Sequence, residues 1–125
     1  MLKGILLTRW SACTDSWPYI RDMNQSMFEI QADFCKAMGH AARLHVFHVL
    51  REHPMTVGEI SLATDMPQSN VSRHLKALRA VGVLKSKRHG VEMVYQIADI
   101  KIVEVCDLVR NILIEQGHKR SQSIE

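Results

Sequence analysis

Between Thr56 and Arg79 the apolar residues keep a helical period in two short runs, broken once. In the second run Val71, Leu75 and Leu78 fall at i, i+4 and i+7, a narrow stripe for burial. Ser69, Ser72, Arg73 and Lys76 repeat the spacing on another face, and none of them is apolar or acidic. Thr56 with Glu59 reads as a capping box, so the first helix is expected to start just after Thr56. Asp65-Met66-Pro67 should end it, since proline removes a donor and restricts the residue before it. The second helix is then expected from about Pro67, a tolerated first-turn residue, to about Arg79.

The same pattern places the flanking elements. Met27, Ile30, Phe34, Ala37 and Met38 predict a helix closed by Gly39. His40 to Glu52 predicts another, with Leu44, Phe47 and Leu50 inward, flanked by Val46 and Val49, and stopped at His53-Pro54. After Gly82 the period falls to two: Val91, Met93, Tyr95 and Ile97 alternate with Glu92, Val94 and Gln96. Val83 to Arg88 is the expected antiparallel partner, with the turn at Arg88-His89-Gly90. From Asp99 the helical period returns and is expected to run to about Gly117. There Ile102, Cys106, Val109 and Leu113 form one stripe, widened by Ile100, Val103, Val105, Ile112 and Ile114. That is more apolar surface than the last helix of a small domain buries against its own body, and a dimer interface accounts for it economically.

The fold class expected is mainly α with a small β-hairpin: a dimeric winged helix-turn-helix. Residues 1–22 have no usable period and are expected to form a poorly ordered tail, and Met23 and Met27 each offer an alternative start. Residues 23–118 should hold the DNA-binding and dimerisation domain, and 119–125 a loose polar tail. A length of 125 residues bounds this to one domain, near the size at which a partner subunit helps.

Charge sharpens the reading. The net +3 looks weak until it is mapped. From Pro67 to Gly90 lie Arg73, Lys76, Arg79, Lys85, Lys87 and Arg88 and no Asp or Glu, so the other ten basic residues face all thirteen acidic ones. A local basic surface on a helix-turn-helix points to a polyanion partner. No run approaches the length of a membrane span. Cys13, Cys35 and Cys106 are odd in number, widely spaced and without a CxxC pair, which indicates neither a zinc ribbon nor a disulfide framework and fits a reducing cytoplasm. The sequence offers no Gly-rich phosphate loop, paired-carboxylate signature or nucleophile elbow, so it gives no support to an enzyme.

The order helix, helix, helix-turn-helix, hairpin, helix resembles the ArsR/SmtB family of winged-helix bacterial repressors. The likeness is carried by Phe34-Cys35-Lys36-Ala37-Met38-Gly39-His40, Ala42-Arg43-Leu44, Val57-Gly58-Glu59-Ile60, the run from Gln68 to Leu78, Gly82-Val83-Leu84, and Arg88-His89-Gly90 ahead of Tyr95. It spans about residues 27–117. The resemblance implies a homodimer on a two-fold related operator in double-stranded DNA, paired through its first and last helices and leaving the operator when an inducer, often a metal ion or metalloid, binds. Position by position it implies base and phosphate contacts from Gln68, Ser69, Ser72, Arg73 and His74, and wing contacts from Lys87, Arg88 and His89.

Sensing is where the sequence departs from that family. Its thiolate box, a Glu-Leu-Cys-Val-Cys-Asp pattern, is represented here by Glu59-Ile60-Ser61-Leu62-Ala63-Thr64, without either thiolate. The zinc site of the last helices needs histidines that this helix lacks, since His118 stands only beyond its expected end. No metal site is therefore assigned, and a metal or metalloid inducer is left open. Cys35 and Cys106 sit on the first and last helices, which pack together in this fold, and form the candidate sensing pair. A plain apolar role for both thiols is the competing reading. His45 and His48, flanked by His40 and His53, read as surface histidines of one helix. The alternative to an inducer-released repressor is a constitutive winged-helix module that binds DNA or docks a protein without a ligand.

Overall fold

The structure is a computed structural model that describes residues 25–124. The chain divides into two units between Asp33 and Phe34. Of the first, the described part is the opening of helix α1 (Gln25–Met38), where Phe28 and Ile30 are exposed. The tail expected over residues 1–22 lies outside the described residues.

The second unit follows the order α2 (Ala41–Leu50), β1 (Met55–Thr56), α3 (Val57–Thr64), α4 (Gln68–Ala80), β2 (Leu84–His89), β3 (Glu92–Ile97) and α5 (Ile100–Ile124). The three strands form an antiparallel sheet in the order β1-β3-β2. Strand β1 was not expected from the sequence. It is two residues long, too short to carry a period, and pairs Met55 with Tyr95 and Thr56 with Val94. Helix α5 runs past Gly117, the end expected for it, to Ile124.

The caps explain the element boundaries. At α3 the Glu59 amide donates to the Thr56 hydroxyl at 3.3 Å and the Thr56 amide donates to the Glu59 carboxylate at 3.1 Å, completing the box. Both Thr56 contacts, the backbone one foremost, hold the Glu59 carboxyl below its ordinary value. Asp65 closes α3 at φ 56°, in the left-handed region that Asp tolerates better than most residues. Helix α4 ends in a Schellman motif: the Gly82 amide donates to Arg79 at 3.1 Å and the Val83 amide to Leu78 at 3.0 Å. Gly82 supplies the required positive φ of 83°, and Leu78 and Val83 meet in the core on either side of it.

Val46, Phe47, Leu50, Ile60, Val71, Leu75, Leu78, Val83, Leu84 and Val103 make one buried cluster. It joins α2, α3, α4, β2 and the start of α5, so the core lies directly behind α4. The rest of α5 turns much of its apolar surface outward: Val105, Leu108, Val109, Ile112, Leu113 and Ile114 are all exposed. The expected interface stripe therefore splits, because Ile102 and Cys106 pack against the chain's own core whereas Val109 and Leu113 stay uncovered.

A bidentate pair fastens α5 to the end of α2. Arg51 donates to both Asp107 carboxylate oxygens, at 2.8 and 2.7 Å. That hydrogen bonding holds the Asp107 carboxyl below the usual carboxylate range. A depressed carboxyl stabilises the fold above its unfolded value, about 3.9, and loses that contribution as pH falls through the folded one. Asp107→Asn should accordingly lower stability in urea unfolding at neutral pH, with the difference from the parent shrinking in acid. A difference that persists unchanged below pH ~3 would place the pair's role elsewhere.

Candidate nucleic-acid interface

Helix α4 begins after Pro67, whose extended backbone (φ −58°, ψ 145°) turns the chain and whose carbonyl accepts from the Asn70 and Val71 amides. With Val71, Leu75 and Leu78 at no measurable exposure, the opposite face is fixed. Gln68, Ser69, Ser72, Arg73, Lys76 and Arg79 are all exposed, and the Asn70 side-chain oxygen Oδ1 accepts from the Arg73 guanidinium at 2.8 Å, steadying it.

Ser72, Arg73, Lys76 and Arg79 meet Tyr95 of β3 across a groove of about 260 Å³. Three guanidinium or ammonium groups and a phenol along one cleft, with no carboxylate among the described residues that line it, form a polar channel suited to a polyphosphate backbone. The sequence counts Arg79 in the basic run without naming it as a DNA contact, and it gives Tyr95 no role in the site. Arg79 sits three residues beyond Lys76 on the same face, a signal that was present. Tyr95 reaches the cleft through strand register, which no local pattern states.

The wing closes one side of that groove. Its strands pair from Leu84 with Ile97 to His89 with Glu92, so the two-residue loop is Gly90-Val91, one step beyond the expected turn. Gly90 takes φ 67°, while Val91 at the tip is 98% exposed. Alternation puts Arg88 on the side of Ser86 and its partner Tyr95, toward α4. Lys87 and His89 point to the other side with Lys85, so the structure does not gather all three wing residues on one face.

His74 departs from the exposed row. It lies three residues after Val71 and four before Leu78, on the flank of the buried stripe. Its ring is half-buried, its Nδ1 accepts from the Arg43 Nε at 3.5 Å, and it packs tilted against His40 with centroids 5.1 Å apart. Burial foremost, then the positive surroundings of His40, Arg43 and Arg73, push the imidazole down from its ordinary value.

The candidate sensing thiols share one place. Cys35 and Cys106 both line an apolar groove of about 370 Å³, with Phe34, Met38, Leu44 and Val109 among its walls. Cys35 is exposed, and burial pushes the half-buried Cys106 thiol up. In the segment matching the thiolate box, the Ser61 hydroxyl donates to the Met66 carbonyl and Leu62 and Ala63 are exposed. His45, His48 and His53 are exposed, and among the described residues no three His, Cys, Asp or Glu side chains converge as a metal site. Among the described residues no helix is long and apolar enough to cross a membrane.

Comparison with known proteins places this arrangement. Residues 40–86 match the family model described as bacterial regulatory protein, arsR family. The chain is 34% identical over 92 residues to the HTH-type transcriptional regulator Rv0081 of Mycobacterium tuberculosis, covering 72% of this chain and 80% of that protein. Its crystal structure superposes with a TM-score of 0.70 over 78% of this chain and 98% of that one, at 31% identity. Similarity extends to the transcriptional repressor PagR of Bacillus anthracis, at 35% identity over 67% of this chain and 85% of that protein. The homodimeric winged helix-turn-helix DNA-binding domain of Mb0332 from Mycobacterium bovis matches at a TM-score of 0.68 and 27% identity, over 72% of this chain and 83% of that one. With the helix-turn-helix, the basic wing and relatives of this closeness together, the chain belongs to the ArsR/SmtB family of bacterial transcriptional regulators.

Proposed function

We propose that the protein is a homodimeric, cytoplasmic repressor that holds a two-fold related operator and is released by an inducer acting on thiols. The observation that carries the DNA part is the basic cleft in which Ser72, Arg73, Lys76 and Arg79 of α4 face Tyr95 of β3. Gln68, Ser69 and Ser72 read base edges from the groove-entering face, Arg73 and Lys76 hold phosphates, and Lys87, Arg88 and His89 steady the duplex from the wing. Pairing is supported by the uncovered apolar face of α5, where Val105, Val109, Ile112 and Leu113 are exposed, and by the homodimeric state of the Mb0332 domain. Repression is favoured by the likeness to PagR.

The thiol part rests on Cys35 and Cys106 lining one groove beside that same α5 face. Exposed Cys35 is the thiol open to attack by an oxidant or a thiophilic species. Joining the two sulfurs removes two protons and two electrons, which a peroxide accepts as it becomes two waters (or water and an alcohol). Strain from that bond, at the seat of the paired helices, would alter the spacing of the two reading helices.

The test is release of a promoter duplex by metals, metalloids, peroxide and persulfide, with the parent and with Cys35→Ser/Cys106→Ser. The parent should let go with at least one thiol-directed agent while the double variant stays bound. Equal release of both proteins would remove the thiol switch. A monomer indifferent to duplex at low ionic strength would remove the whole reading.

A further inference from the structure

His40 and His74 bring two imidazoles together where α2 begins and α4 passes. Each ring has its Nδ1 engaged as an acceptor. The Ala42 amide donates to His40 Nδ1 at 3.2 Å, and the Arg43 Nε donates to His74 Nδ1 at 3.5 Å. An imidazole that accepts at Nδ1 carries its proton on Nε2, so both rings are held as neutral Nε2–H donors. Among the described residues neither Nε2 has a hydrogen-bond partner. The permanent charges acting on His74 are Arg43 and Arg73, both positive.

These features decide what the pair can hold. A metal cation would need a lone pair on Nε2, which this tautomer does not offer, and would sit against two guanidinium groups. An anion meets two N–H donors in a positive setting. Arg73, next to His74 in sequence, lines the cleft between α4 and the wing, so the pair stands beside that cleft on the flank of the same helix. We infer that His40 and His74 form a seat for a backbone phosphate of duplex DNA, made of neutral imidazole donors and lying outside the α4–wing cleft. This rests on the operator-binding reading above and adds His40 to the interface.

A neutral donor has a signature that a lysine or arginine lacks. It adds affinity without releasing a counterion, so its loss leaves the salt dependence of binding unchanged. His40→Asn keeps a side chain that caps α2 well but is too short to present the Nε2–H. It should weaken binding of a short duplex of arbitrary sequence about tenfold while the slope of log K against log salt stays that of the parent. Unchanged affinity overturns the seat, and so does a slope reduced by about one, which would make His40 a cation on the DNA.

A second measurement does not depend on the variant's folding. Long-range 1H–15N spectra of the parent should show both rings as Nε2–H tautomers, with the Nε2 signals moving when duplex is added and not with inorganic phosphate alone. Movement with phosphate alone would make this a free-anion site, and no movement with duplex overturns the proposal. A folded parent that fails to bind any duplex would instead remove the operator reading on which the seat depends.

Discussion

Leu75→Ala is expected to lower folding stability by about 2–5 kcal/mol. Leu75 has no exposed surface and lies in the cluster with Val46, Phe47, Ile60, Val71, Leu78 and Val83. Its neighbours come from three helices and the joint that follows α4, each held by its own hydrogen bonds, so they are poorly placed to collapse into the space left. Urea unfolding of parent and variant measures the loss, and a value under about 1 kcal/mol would show that the core closes over the gap. Because the side chain points away from the exposed row of α4, duplex binding by the fraction that remains folded should match the parent.

The second large effect concerns the cleft beside that row. Arg73→Ala/Arg79→Ala removes two cations from its lining and leaves Lys76 and Tyr95. If the phosphate backbone runs there, the slope of log K against log salt should fall by about two and affinity by one to two orders of magnitude, roughly, at moderate salt. Lys119→Ala, an exposed cation far along α5, serves as the control and should leave the slope alone. A double variant with the parent's slope would mean that DNA takes another path across the protein.

How much of this was legible in the sequence depends on the range of the interaction. Local signals held: Thr56 with Glu59 does close a capping box, and the Val71, Leu75, Leu78 stripe is buried. The hairpin came through as well, except that its turn moved one residue, because Gly90 opens the two-residue loop and does not end it. What depends on two distant segments was hidden. Strand β1 exists only because β3 offers it an edge, and Tyr95 reaches α4 only through register with Ser86. His74 was expected with Arg73 among the DNA contacts, whereas its place beside Val71 and Leu78 sets it half-buried on the flank of the stripe, and nothing local named Arg43 and His40 as its companions. The end of α5 was set too early, because one glycine and a polar run argue for a stop only where no helix is already under way.

The close-fitting joint at Gly82 limits how this scaffold can change in length. Strand β2 begins at Leu84, and the Ala98 amide returns to the Val83 carbonyl at 3.0 Å, so no slack separates the helix from the hairpin. An inserted residue there would shift the strand by half its period, turning Leu84 outward to the place of Lys85, bringing Lys85 inward to that of Ser86 and exchanging the two faces of the wing. Lengthening at Gly90-Val91 meets no such penalty, since Val91 already stands in solvent. Insertions and deletions among descendants of this chain should therefore collect at the hairpin tip and leave the joint untouched.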